Sequence, residues 1–307
     1  MSRYVAGIDG GQSSTAAAIG DEHGHILARG TAGPCDEIGE GPQSTRLRDA
    51  LHGALADAVR NAGLPGDTQF EAIVAGISGY EGTIYGVPPE LPSQRTLIVH
   101  DAPIAHAGAF AGGSGVVVIA GTGSVVYAVN DHNEAATFGG WGYLFGDEGS
   151  AFWIGREALA SLMRWQDEDE IEIAAERKKA LAFFEAPSLR ELARAYYMDR
   201  IPRSRIAAFA EVVMHVELFD AIVQRGAAML SQLARVAVHN HGVRAGTPVA
   251  SVGGLFFDPR FRELVDHGIR AAGRGTHVVA PKYDPVIGAV ILAYREASID
   301  VAEIVEA

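Results

Sequence analysis

Asp9 closes a short apolar run, Tyr4-Val5-Ala6-Gly7-Ile8, and is followed by Gly10, Gly11, Gln12, Ser13, Ser14 and Thr15 before a second apolar run at 16–19. Glycines let backbone N–H groups close on an anion, three hydroxyls add donors, and a carboxylate at a strand end can carry a hydrated Mg²⁺. The chemistry open to these residues is phosphate binding. An ordinary glycine-rich turn fits the same segment equally well, and a Walker loop does not, because no Gly-Lys-Ser/Thr follows and the next element is a strand. A second segment repeats the pattern: the apolar run 116–120, then Gly121, Thr122, Gly123 and Ser124, then the apolar run 125–129. Two phosphate-sized tips about one domain length apart imply two similar halves with a nucleotide held in the cleft between them.

The elements that must position these tips follow from periodicity. Runs at 4–8, 16–19 and 25–31 read as an antiparallel meander, with a Gly, Pro and acid-rich loop at 33–41. Leu47, Leu51, Leu55, Ala58 and Val59 recur near every 3.6 residues, which predicts a helix over 43–62 stopped by Gly63. Strands follow at 70–77 and 96–100, then a short helix through about residue 110, so the first half is a mixed sheet with helices against it. Asp101 falls at the junction of strand and helix, where a helix cap is its ordinary use. The stretch 139–150 concentrates Gly140, Trp141, Asp147 and Glu148; a Trp beside carboxylates suits a binding surface, although a lone Trp is more often core.

A helix is expected at 151–165, inserted surface helices at 166–205, and one or two long apolar-striped helices at 206–243. Beyond them come a strand at 249–252 feeding Gly253 and Gly254, a helix through about residue 272, a strand at 277–280 and a last helix from Pro285.

At 307 residues the chain exceeds one ordinary core, so two domains are expected. A formal charge of -13 opposes a nucleic-acid partner, which needs clustered Lys and Arg. Cys35 is the one cysteine, so neither a disulfide framework nor a thiolate metal site forms within the chain, and we read the compartment as reducing and cytoplasmic. No apolar stretch reaches the roughly 20 residues that span a bilayer. The eleven histidines show no metal-ligand spacing; His239 and His241 fall on different sides of a helix, and His100 reads as a strand residue.

From Gly7 to Ala293 the ordered motifs resemble the sugar-kinase, actin and heat-shock-chaperone ATPase superfamily. Within it they resemble the N-acetylglucosamine kinase and BadF/BadG/BcrA/BcrD-type group. Residues 7–15 are similar to the first phosphate motif, 120–124 to the second, Val252-Gly253-Gly254 to the adenosine motif, and 139–150 to the amino-sugar kinase signature G-G-W-G followed by G-D-E-G-S. The resemblance implies an α/β fold of two actin-like (ribonuclease H-like) domains around a nucleotide cleft. The division it suggests is 1–115 joined by a C-terminal helix 285–307, and 116–284 with a helical insertion at about 166–245.

It implies ATP and Mg²⁺ as cofactors, a small sugar as substrate and a homodimer. Asp101 is then the base that takes the acceptor proton, and Asp9 holds Mg²⁺ through water, with Asp147 a second candidate. The phosphates fall to Gly10–Thr15 and Gly121–Ser124, and adenosine to Gly253 and Gly254. Ser78, Asp147 and the Gly140 backbone are expected to bond sugar hydroxyls, with Trp141 as an apolar wall. The chain departs from the N-acetylglucosamine kinase pattern where Asn residues are replaced by Asp36-Glu37 and Val125; carboxylate at Asp36 favours an amine or hydroxyls over an acetamide carbonyl. The alternative is a regulatory ATPase of the BadF type with no small-sugar acceptor. Its iron–sulfur form is excluded, since Cys35 alone supplies too few ligands.

Overall fold

The computed structural model describes residues 3–36, 41–168, 172–241, 246–271, 273 and 275–306. The chain forms two compact units. The first comprises Met1–Val117, Tyr127–Ala135 and Val279–Ala307, and the second Val118–Val126 and Ala136–Val278. The division the resemblance implies instead places 116–117, 127–135 and 279–284 in the second half.

In the first unit, β1 (Tyr4–Gly10), β2 (Thr15–Asp21) and β3 (His25–Ala32) form the antiparallel meander, and β4 (Ala72–Ile77) and β5 (Thr96–His100) add in parallel beside β1. Among the described residues the sheet order is β11-β3-β2-β1-β4-β5, where β11 is the two-residue strand Val305–Glu306. Alternate residues of β1 face opposite ways, and both faces are apolar because both are covered. Ala6 and Ile8 meet Leu47, Leu51 and Leu55 of α1 (Arg46–Asn61), whereas Val5 joins Ile104 of α2 (Asp101–Phe110) and Ile287 and Val290 of α9 (Pro285–Glu296). Each fully buried Leu or Ile here contributes about 1.5–3 kcal/mol.

Gly288 lets α9 touch α2, since a Cβ there would stand 1.9 Å from the Ile104 carbonyl oxygen. Asp284 caps α9 by accepting the Ile287 N–H at 3.1 Å, and Pro285 fills the first turn.

The second sheet runs β10-β9-β6-β7-β8, with β6 (Gly115–Ala120), β7 (Ser124–Val129), β8 (Ala135–Gly139), β9 (Pro248–Val252) and β10 (His277–Val279). Helices α3 (Ala151–Glu168), α4 (Ala174–Phe184), α5 (Leu189–Tyr197), α6 (Arg203–Val213), α7 (Asp220–Asn240) and α8 (Pro259–Arg270) complete the second unit. In it, α3 packs on α6 and α7 on α8.

Several sequence expectations need correction. The C-terminal segment is not helix throughout: α9 ends at Glu296, Ser298 takes φ 53°, and the chain returns as β11 beside β3. Strand β8 was missed, because its pattern is short and only half-buried. Between Gly253-Gly254 and the helix expected after them lies a 3₁₀ turn at Gly254–Phe257, and α8 starts at Pro259 with Asp258 as its cap.

Candidate functional site

In the first unit the parallel pairing of β1, β4 and β5 sets three strand ends side by side. Gly10 aligns with Ile77, and Ile77 with His100. Asp9 and the first tip, Ser78 and Asp101 therefore emerge from the carboxyl ends of adjacent parallel strands, which is where open α/β sheets bind ligands. The register makes this placement obligatory: Ser78 N–H donates to Gly10 O at 2.9 Å, and Asp101 is the first residue after β5.

The tip is a closed backbone turn, with Gly11 N–H donating to Ser14 O at 2.9 Å. Ser13 and Ser14 are exposed, and Gly11 and Gln12 are half-buried. Thr15 corrects an expectation. It is fully buried and its hydroxyl donates to Gly33 O at 2.8 Å, so it fastens the tip to the following loop instead of offering a proton to phosphate. That loop carries Cys35, whose N–H donates to Gly11 O at 3.1 Å, and half-buried Asp36, whose carbonyl accepts from Arg46. Glu37 lies outside the described residues. Burial pushes the Cys35 thiol up to about 12, so it stays a neutral core group and not a metal ligand.

Burial, with the charges of Asp101 and Asp284 behind it, pushes the Asp9 carboxyl from its ordinary 3.8 up to about 7. Among the described residues no hydrogen bond or ion pair reaches this carboxylate. No group of three or more His, Cys, Asp or Glu able to hold a metal forms among those residues either. The donor set thus fits a cation that takes one protein carboxylate and completes its shell with phosphate oxygens and water, as Mg²⁺ does.

Asp284, which sequence reasoning missed, joins Asp9 and Asp101 through α9 and is held by Arg29. The Asp-Pro pair that starts α9 was the available signal. His100 was also passed over: its Nδ1 stands 2.7 Å from Asp101 Oδ1. Burial lowers the imidazole pKa, but the adjacent Asp101 carboxylate and the charge of Glu81 outweigh it and hold the ring above its usual value.

In the second unit, Gly121 N–H donates to Gly123 O at 3.0 Å, closing the second tip. Ser124 repeats the behaviour of Thr15. It is buried and donates to Glu148 O at 2.9 Å, so it too is a latch and not a free hydroxyl. The start of α3 is spent on the same tip, Ala151 N–H donating to Gly121 O and Phe152 N–H to Thr122 O. Asp147, buried with φ 55°, lies against the tip: a Cβ on Gly123 would come within 2.8 Å of its Oδ2. Gly253 takes φ 116° and sits so close to β6 that a Cβ would stand 2.4 Å from Ala120 O, which brings Gly253-Gly254 to the second tip. Trp141 is 78% exposed, with Leu144 and Phe145 exposed beside it, so it is not a core residue. Gly140 rests on the buried side chain of Val125.

Residues 6–293 match the model of the BadF/BadG/BcrA/BcrD ATPase family. The chain belongs to this family. An N-acetylmuramic acid/N-acetylglucosamine kinase of Clostridium acetobutylicum is 26% identical, the match covering 96% of this chain and 99% of the relative. A solved structure from Chromobacterium violaceum, a candidate N-acetylglucosamine kinase, superposes with a TM-score of 0.79 at 25% identity over 95% of this chain and 99% of that one. A glucokinase of the ROK family from Streptomyces griseus shares the fold, at TM-score 0.56 and 18% identity over 95% and 99% of the two chains. The fold is the two-domain actin-like fold of these ATPases and sugar kinases.

Proposed function

We infer that this family member is an ATP-dependent carbohydrate kinase that phosphorylates a hydroxyl of an amino sugar, with Asp101 as the base that receives the hydroxyl proton. The observation that carries this reading is the convergence of Asp9, Ser78 and Asp101 at three in-register strand ends, beside a glycine tip. Phosphoryl transfer asks mainly for positioning and charge neutralisation, and bound MgATP supplies the electrophilic phosphoryl group. Asp9 holds the cation, the backbone amides of Gly10–Ser14 and Gly121–Gly123 receive phosphates, and Gly253-Gly254 receives adenosine. Ser78 bonds a sugar hydroxyl, and Trp141, already exposed, offers an apolar face to the ring.

Asp36 directs the choice of sugar. Its carboxylate accepts hydrogen bonds only, which suits the ammonium of glucosamine better than the carbonyl of an acetamide. One bond to a charged group is worth about 1.5–3 kcal/mol, a preference of roughly tenfold to a hundredfold. Glucosamine is thus at least as good an acceptor as N-acetylglucosamine.

A panel of hexoses and amino sugars assayed for ADP release tests the reading, with Asp101→Asn as the control. Amino-sugar-dependent turnover abolished by Asp101→Asn supports it. Slow ATP turnover indifferent to every sugar and to Asp101→Asn replaces it with a regulatory ATPase, and a strong N-acetyl preference removes Asp36 from the specificity argument.

A further inference from the structure

We propose that His100 is a positioning residue for Asp101: its protonated ring holds Oδ1 through Nδ1–H, leaving Oδ2 as the oxygen that takes the acceptor proton, and loss of the ring proton sets an alkaline limit on turnover. The inference rests on Asp101 being the base of the reaction proposed above.

The geometry leaves Nδ1 of His100 with two competing partners. His100 caps α2, its Nδ1 accepting the Ala102 N–H at 3.2 Å. That amide is the one a cap must take here, because the next residue, Pro103, has no N–H to give. The same Nδ1 stands 2.7 Å from Asp101 Oδ1, in ion-pair contact but off the line of a good hydrogen bond. Oδ1 is closed to solvent and makes no hydrogen bond.

With a neutral ring whose Nδ1 carries a lone pair, two acceptors would face each other at that distance, which is repulsive. One proton on the pair converts the contact into a charge-assisted N–H···O bond of ordinary length. An unsatisfied buried carboxylate oxygen is expensive, so the pair retains that proton.

The charged groups facing His100 are Asp101, at the start of its own helix, and Glu81, on the loop that follows β4. Both are negative and both favour imidazolium, against the opposing effect of burial. As pH rises the ring loses its Nδ1 proton and keeps the one on Nε2, the tautomer in which Nδ1 accepts the Ala102 amide, and the Nδ1 lone pair then repels Oδ1. The carboxylate then loses its fixed orientation. The chain carries eleven histidines, and this one is distinguished by its contact with a buried, otherwise unpartnered carboxylate oxygen.

The experiment compares kcat and KM from pH 6 to pH 9.5 for the full-length protein, His100→Asn and Asp101→Asn, together with an NMR titration of the His100 ring in the unaltered protein and in Asp101→Asn. Asn keeps an oxygen that caps α2 but cannot titrate, which separates the cap from the proton. The expected result for His100→Asn is kcat lowered about tenfold near neutral pH, the scale of one charged hydrogen bond. KM should change little, and the alkaline limb seen in the unaltered protein should disappear. The ring should titrate above 6.5 in the unaltered protein and fall back to or below 6.5 in Asp101→Asn.

An unchanged kcat profile in His100→Asn, or a ring titration that ignores Asp101→Asn, overturns the proposal. Should His100→Asn fail to fold, the titration in Asp101→Asn decides alone. Undiminished sugar-dependent turnover in Asp101→Asn would instead overturn the kinase base itself, an outcome distinct from a failure at His100.

Discussion

Replacing Asp9 with Asn should make the ligand-free protein more stable at pH 8 while removing its ability to use MgATP. Asp9 titrates near 7 in the folded chain against an ordinary value of 3.8, because burial and the neighbouring Asp101 and Asp284 oppose its charge. A folded state that keeps a proton longer than the unfolded state is stabilised below the unfolded pKa, and that advantage is lost as pH rises through the folded one. The loss therefore falls between about pH 4 and pH 7. Three units at about 1.36 kcal/mol each set a ceiling near 4 kcal/mol, and the residue's partial exposure reduces the expected difference to about 2 kcal/mol by solvent screening. Asn mimics the protonated carboxyl and carries no such loss.

Urea unfolding of both proteins in chelator, at pH 3.5 and pH 8, measures the difference. The two should agree at the lower pH, and Asp9→Asn should exceed the parent by about 2 kcal/mol at the higher one, a shift of several degrees in Tm. MgATP should then stabilise the parent and leave Asp9→Asn unmoved. An Asp9→Asn protein that is less stable than the parent at pH 8, or equally pH-dependent, would refute the assignment of Asp9 as a carboxylate awaiting a cation.

The remaining expectations concern the tips. Gly253→Ala should lose about 2–4 kcal/mol, read by thermal unfolding, because it forces a Cβ at φ 116° to within 2.4 Å of the Ala120 carbonyl oxygen. Thr15→Val should destabilise by about 0.5–1.5 kcal/mol, the net worth of one hydrogen bond, because the exposed Gly33 carbonyl can take water instead, and should raise KM for ATP more than it lowers kcat if the hydroxyl serves only to fix the tip. Ser13→Ala and Ser14→Ala, on exposed positions of the same tip, should leave Tm within about 1 °C and act on ATP affinity alone.

How far the sequence could be read depends on the range of each interaction. Strand β1 and its meander were legible because continuous apolar character and a two-residue side-chain period are local properties. The two tips were legible for the same reason. Asp284 was not, since its proximity to Asp9 comes from α9 returning to the sheet on a close helix contact at Gly288, far along the chain. His100 reads as a strand residue because nothing in a one-dimensional pattern shows that its ring turns back on the carboxylate that follows it. Thr15 and Ser124 look like phosphate donors by type, yet the orphan carbonyls of Gly33 and Glu148 claim them first.

Those two hydroxyls indicate how the backbone of each tip is held in place. In each unit a glycine turn closes on itself through one backbone bond, and its last hydroxyl is turned inward to a carbonyl on a later loop. In the first unit that loop goes on to Asp36, and in the second it contains Asp147. The latch thus ties the backbone proposed to receive phosphate to a loop bearing an acidic residue proposed to contact sugar. Fixing the amides before the anion arrives removes ordering entropy from the binding step, which is how preorganised donors stabilise a developing charge without rearrangement. Loss of either latch should consequently weaken nucleotide and sugar binding together, whereas loss of an outward-facing serine on the first tip should weaken nucleotide binding alone.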